Sequence, residues 1–353
     1  MKGYVLHEKG RAAWADVPES PLGDYDAMIR PTAVATCTTD VHLIATAGLP
    51  AAIGKPIGHE AVGVVEKIGD LVTDFAPGDR VIIPAAGSDW RNPHAQRGEA
   101  KYYQTHNPYF SSDKTVGGAF SELVRAIDAD MSLAHIPDSV SDVQAVMVPD
   151  MVATGFTGVE RLQIEFGDTV VIMGVGPVGL MAVAGAALRG AGRIIAVGSR
   201  PATLELARRY GATDVVDYKK APILDQVQQL LGDTPADSVL IASGATASDS
   251  FSTALTLVKP GGHVANVSVF LDEESVTIPL AAIGSGTLDK FLTGVFVKDG
   301  RDFLERLLAL IATGRLDPSP LVTHQLHGWD RLEDALDLMR SHDPDVIKPV
   351  VLL

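Results

Sequence analysis

The sequence predicts an α/β protein, a doubly wound parallel sheet joined to a second unit rich in short strands. Three observations lead there. Residues 169–188, TVVIMGVGPVGLMAVAGAAL, read as strand, tight turn and helix. Strand-like and helix-like runs then alternate to about residue 296. Before about Pro149 the pattern is instead short β-branched runs broken by Gly and Pro.

The central stretch holds twenty uncharged residues between Asp168 and Arg189, and hydropathy alone would make it a membrane span. Its composition argues otherwise. Four glycines and Pro177 punctuate it, with β-branched residues filling 169–175 and Ala and Leu dominating from Pro177 onward. Gly174, Gly176 and Gly179 make a G-x-G-x-x-G turn with Pro177 and Val178 between them. In such a turn the first glycine permits the bend, the second lets a pyrophosphate approach the backbone, and the third lets helix pack on strand. The helix N-terminus adds N–H groups and partial positive charge. A Rossmann dinucleotide site follows, the plainer alternative being a glycine-rich packing turn.

Taken in order, KGYVLHE, YDAMIRPTAVAT, AVGVVEKIG and DRVIIP are the early strands. Residues 87–118 lack periodicity and read as a long loop or lobe over a cleft. MVATGFTGVERL reads as a helix leading into the central stretch. The alternation continues with RIIAVG, a helix after Pro201, TDVVDY, a helix over Ile223–Leu231, DSVLIAS, a helix over 249–258, HVANVSV and a last apolar run, FLTGVF. The tail adds helices near 302–313 and 330–340 and the strand IKPVVLL, expected to rejoin the first unit. The expected division is 1–152 with 297–353 for catalysis and 153–296 for the dinucleotide. No internal repeat or low-complexity tract is visible.

At 353 residues the chain can bury two cores. Its net charge of −15 argues against a nucleic-acid partner. The N-terminus, MKGYVLHEKG, has no apolar export region and no other segment reads as a span, so no membrane partner and a cytoplasmic protein are expected. Cys37 is the single cysteine, which excludes an intrachain disulfide and a four-cysteine structural zinc lobe.

Gly58-His59-Glu60, followed by Gly63, Gly69 and Val72, fits G-H-E-x-x-G-x(5)-G-x(2)-V. With PGDRV at 77–81 and the nucleotide turn, the full length resembles the zinc-containing alcohol dehydrogenases of the medium-chain dehydrogenase/reductase superfamily. It is similar in particular to the NADP-dependent secondary-alcohol dehydrogenases of bacteria and archaea, through CTTD at 37–40, PIGHEAVG at 56–63, PDM at 149–151 and VGSRP at 197–201. The resemblance implies a GroES-like catalytic domain beside the Rossmann domain, a homotetramer, and hydride transfer between NADP(H) and small secondary alcohols or ketones.

Cys37, His59 and Asp150 offer a thiolate, an imidazole and a carboxylate, a credible catalytic zinc set with the fourth position left for substrate. Their wide separation is expected of a site assembled between domains. The resemblance assigns these three as ligands and Glu60 as a carboxylate that approaches the metal when substrate is absent. Taken singly, each fits a plainer role: Cys37 a small buried hydrophobe, Asp150 the N-cap of the next helix, His59 and Glu60 a structural hydrogen-bonding pair. Thr39 resembles the family's proton-relay hydroxyl, and His42 either carries the proton onward or is structural. His94, His106, His135 and His263 read as surface or satisfied core residues.

Cofactor choice is argued at the end of the second Rossmann strand, where an NAD enzyme usually carries Asp or Glu. Here stand Gly198, Ser199 and Arg200, with no carboxylate to repel a 2′-phosphate and a hydroxyl and guanidinium to bind one. Arg200 also fits a solvated charge at a helix start. Tyr218 matches a family position at the adenosine end. Ala85 and Ala86 match small pocket-wall positions of the family, while Phe110, Gly294 and Val295 depart from its large pocket residues. A zinc-free quinone or enone reductase and a non-catalytic NADP-binding protein of the same fold are the competing readings.

Overall fold

The computed structural model describes residues 1–243, 246–270, 273–341 and 343–353. The chain folds into two compact units, Met1–Ala153 with Lys298–Leu353, and Thr154–Val297.

The second unit is built on six parallel strands. Their order is Asp214–Asp217, Arg193–Gly198, Thr169–Met173, Ala236–Ile241, Val258–Asn266 and Phe291–Gly294. The order reverses direction beside Thr169–Met173, the doubly wound arrangement whose switch point receives ligands. Val170 and Ile172 are as buried as Val171 and Met173, so both faces of the central strand are covered. The Pro177–Leu188 helix is buried from Gly179 through Ala186. This double burial, not a bilayer, explains the charge-free run.

Among the boundaries that differ from the sequence reading, Val258 opens a strand instead of closing the preceding helix, which ends at Leu257. Pro260 explains the stop, since proline cannot donate a backbone hydrogen bond and disfavours helix in the residue before it.

In the first unit a seven-stranded sheet runs Val322–His327, Lys348–Leu352, Ala27–Ala35, Ala61–Ile68, Arg80–Ile83 and Ala134–His135, with Val124–Ala126 also on Ala27–Ala35. Its register positions the site. Val34 lies opposite Ala61 and Ala35 opposite Val350, so the chain just past Ala35, just before Ala61 and at the start of the last strand meets at one end of the sheet. The strands Arg11–Asp16 and Val322–His327 were not visible in sequence. RAAWAD is half-buried along its middle without alternation, and VTHQLH alternates in burial but puts the polar His324 on its inward face, although the Lys9-Gly10 turn is a hairpin signal for the former. Residues 87–118 contain only the short 3₁₀ turns Pro93–Arg97 and Ala100–Tyr102.

Candidate metal centre and nucleotide turn

Cys37 follows the Ala27–Ala35 strand and is the extended N-cap residue of the Thr38–Thr46 helix. Glu60 precedes the neighbouring strand, and its carbonyl accepts from the Ala35 N–H at 3.0 Å. Asp150 lies inside a π-helical turn, Val148–Val152, of a kind often found at functional sites. It is therefore not the N-cap of the Ala153–Arg161 helix. Together these elements bring one ligand atom each of Cys37, His59, Glu60 and Asp150 within 4.8 Å of one another. All four belong to the first unit.

The pairing inside the cluster is specific. Asp150 Oδ2 lies 3.4 Å from His59 Nε2. Glu60 Oε1 is 3.5 Å from the same nitrogen but accepts from Lys348 Nζ at 2.6 Å, so the carboxylate's partner is the lysine and not the histidine. The other oxygen, Oε2, is buried without a partner. Burial pushes the Glu60 carboxyl up to about 7 while the Lys348 ammonium pulls it down. For Lys348, burial opposes the charge, yet Cys37, Glu60 and Asp150 outweigh it and hold the ammonium above its ordinary range. Burial likewise opposes a charged His59, but Tyr109, Asp40 and Asp150 prevail and raise its pKa well above the usual value.

Asp40, Tyr109 and Lys348, all beside this centre, escaped the sequence reading. Asp40 is fully buried, and its Oδ2 accepts from the Cys37 N–H at 2.9 Å while Oδ1 lies 3.2 Å from His59 Nδ1. Its signal was present, a carboxylate in the first turn of the helix that Cys37 begins. Lys348 carried none, because only the sheet register brings the last strand beside Glu60.

The donor set fits zinc. One thiol, one imidazole and two carboxylates converge against a single lysine, a surplus of negative charge that suits a borderline-soft dication. The Glu60 oxygen without a partner needs a positive group that the other side chains do not supply.

The Cys37 thiol donates to the exposed Thr39 hydroxyl at 3.5 Å. His42 is half-buried on the same helix, and no hydrogen bond joins it to Thr39 among the described residues. Ala85 and Ala86 are buried, their carbonyls accepting from the Asn107 amide at 3.0 and 2.7 Å, whereas Phe110 is exposed. Gly294 closes the edge strand of the second unit's sheet, with Val295 next. His94 pairs with Glu99, His135 stacks on Phe75 and His263 on Phe291. His106 departs from expectation: its Nδ1 is buried without a partner, in a group with Asp89 and Asp128. There the Arg91 guanidinium donates to Asp128 Oδ1, while Asp128 Oδ2, like His106 Nδ1, is buried without a partner.

In the second unit the glycines divide their work. Gly174 has φ +99°, and a Cβ there would lie 2.3 Å from the Ala242 carbonyl oxygen. A Cβ on Gly179 would lie 1.8 Å from the Gly174 carbonyl oxygen, whereas one on Gly176 would meet nothing within 4 Å. The twelve-residue helix starting at Pro177, with Val178 in its first turn, thus presents an open N-terminus beside Gly176. Gly198 ends its strand, Ser199 is half-buried, and half-buried Arg200 is the N-cap residue of Pro201–Arg209. The Tyr218 N–H donates to the Gly198 carbonyl at 3.1 Å. Burial works against the Arg200 charge and the neighbouring Tyr218 phenol favours it. A Cβ on Gly198 would meet Val175 Cγ2 at 2.3 Å, a constraint invisible in the sequence.

Comparison with known proteins matches both units. A family model described as an alcohol dehydrogenase GroES-like domain covers residues 23–138, and one described as a zinc-binding dehydrogenase covers 177–313. NADP-dependent isopropanol dehydrogenases from Thermoanaerobacter brockii and Clostridium beijerinckii are 44% and 41% identical over the whole of both chains. The structure of the alcohol dehydrogenase TADH from Thermus sp. ATN1 superimposes with a TM-score of 0.89 at 29% identity, covering 100% of this chain and 99% of that one. The chain thus belongs to the zinc-containing, GroES-like medium-chain alcohol dehydrogenase family.

Proposed function

We propose that the protein is a zinc- and NADP-dependent alcohol dehydrogenase transferring a hydride reversibly between NADP(H) and small secondary alcohols or ketones. The observation that carries this reading is the convergence of Cys37, His59, Glu60 and Asp150 from separate elements. When bound, zinc supplies a Lewis acid that polarises a carbonyl or favours alkoxide over alcohol, much as it lowers the pKa of bound water to near neutral, and NADPH supplies the hydride.

The rest falls to the chain's own groups. Cys37, His59 and Asp150 hold the metal, with Glu60 as the reserve carboxylate and Lys348 restraining it. Asp40 orients both Cys37 and His59. Thr39 takes the substrate proton as it hands on its own, and His42 receives it for solvent through a further group bound between them. Gly174, Gly176, Pro177, Val178 and Gly179 cradle the pyrophosphate, Tyr218 contacts the adenosine end, and Ser199 and Arg200 read the 2′-phosphate. The relatives named as NADP-dependent isopropanol dehydrogenases support this cofactor and substrate class.

The metal stoichiometry proposed is one catalytic zinc and no structural zinc, since one cysteine cannot build a thiolate lobe. The assembly proposed is a homotetramer in the cytoplasm. No helix among the described residues is long and apolar enough to cross a membrane. NADPH oxidation with ketones of graded bulk, alongside elemental analysis, tests the whole reading. Ketone-dependent turnover at one zinc per chain is expected; turnover in zinc-free protein overturns it. Light scattering that gives a stable monomer overturns the tetramer.

A further inference from the structure

Tyr109 lies in the 87–118 segment, 49 residues beyond Glu60 in sequence, yet its ring is buried edge-on against His59, with centroids 5.4 Å apart and planes at 66°. Its hydroxyl makes every bond a phenol can. It donates to Asp40 Oδ1, accepts from the Gly58 N–H at 3.0 Å, and lies 3.1 Å from His59 Nδ1. Asp40 Oδ1 is 3.2 Å from that same nitrogen. A nitrogen lone pair so close to a carboxylate would be repelled, so Nδ1 carries the proton and shares it between Asp40 and Tyr109. Nε2, which faces Asp150 and Glu60 at 3.4 and 3.5 Å, is then the nitrogen that a metal bound among Cys37, Glu60 and Asp150 would take as its ligand atom in place of a proton.

We propose that Tyr109 is a positioning residue for His59, its hydroxyl fixing the imidazole's tautomer and plane and tying the 87–118 segment to the metal centre. The tie continues through the backbone, where the Tyr109 N–H donates to Asn107 Oδ1 at 2.8 Å and Asn107 in turn holds the carbonyls of Ala85 and Ala86. Asp40 alone would leave the imidazole one acceptor and freedom to rock about it. The phenol adds a second acceptor and a packed ring edge, the kind of outer support that sets how tightly a histidine binds a metal.

The inference rests on the zinc reading above. Its test is Tyr109→Phe, which keeps the ring and deletes only the hydroxyl. Zinc affinity, measured by competition against a chromophoric chelator, should fall by about 10- to 100-fold, and the visible absorption of the cobalt-substituted protein should shift. NADPH affinity should stay within about twofold, since it draws on other residues. Because the Gly58 N–H also loses its acceptor, melting temperatures of zinc-free and zinc-loaded forms are compared. A larger drop in the loaded form is expected. Equal drops with unchanged chelator competition and cobalt spectrum overturn the proposal and make Tyr109 a packing residue. Failure of the wild-type protein to bind zinc overturns the metal reading itself, which separates the two outcomes.

Discussion

The metal centre and the nucleotide turn use opposite means to present chemistry. The nucleotide turn relies on backbone: within residues 174–179 the glycines matter by the side chains they lack, as the 1.8 Å approach to Gly179 shows. The metal centre depends on side chains from positions 37, 59, 60 and 150, supported by 40, 109 and 348, which only a particular sheet register assembles. The backbone geometry tolerates no side chain at Gly174 or Gly179 but draws its shape chiefly from residues a few positions apart. A side-chain cluster tolerates change around it but fails if one donor is lost.

Breaking the side-chain half should have the largest effect. Cys37→Ser removes the soft anionic ligand, and zinc content and ketone turnover should fall together, the latter on the order of a thousandfold or more, since a Lewis acid contributes several kcal/mol. Far-ultraviolet circular dichroism should be nearly unchanged. Full zinc occupancy and activity in this variant would show that the centre lies elsewhere.

The backbone half is broken by Gly179→Ala. Its methyl group must push the Pro177–Leu188 helix off the Gly174 carbonyl, at a cost of about 1–3 kcal/mol of stability. The denaturation midpoint and NADPH affinity should both fall with zinc content retained. Loss of zinc in this variant would contradict the independence of the two regions.

Arg200→Ala sharpens the comparison, because here the nucleotide region does use a side chain. A charge-assisted bond to phosphate contributes about 1.5–3 kcal/mol, so the ratio of kcat/KM for NADPH to that for NADH should fall roughly 10- to 150-fold. Gly198→Asp would push the same way by repelling the phosphate, but its Cβ collides with Val175. It should reverse the preference only when paired with Val175→Ala. An unchanged ratio in Arg200→Ala would show that the 2′-phosphate is not read there. The smallest effect belongs to Ser199→Ala: one neutral hydrogen bond, about 0.5–1.5 kcal/mol, and a two- to tenfold change in the same ratio.

How much was legible follows from the same contrast. The strand Thr169–Met173, the glycine turn, the helix from Pro177 and the alternation after it are local patterns, and the second unit's six parallel strands follow from them. Cys37, His59 and Asp150 were legible as chemically able residues in recognisable motifs. Asp150 was ambiguous between ligand and helix cap, because nothing local announces a π-helical turn. His106 read as a surface or satisfied core residue although its Nδ1 is buried without a partner, since satisfaction depends on neighbours and not on residue type.

The sequence by itself determined what depends on spacing and composition: the α/β class, the dinucleotide turn, the missing carboxylate at 198–200, and the single cysteine. Tertiary structure alone decided which distant groups meet. The antiparallel register of Ala27–Ala35 with Ala61–Ile68 and Lys348–Leu352 sets Lys348 against Glu60, and the path of residues 87–118 sets Tyr109 against His59. The physical reason is range. A turn or an amphipathic period is imposed by neighbours a few residues apart, whereas a buried ion pair forms between groups that the chain order leaves unrelated until the strands pair.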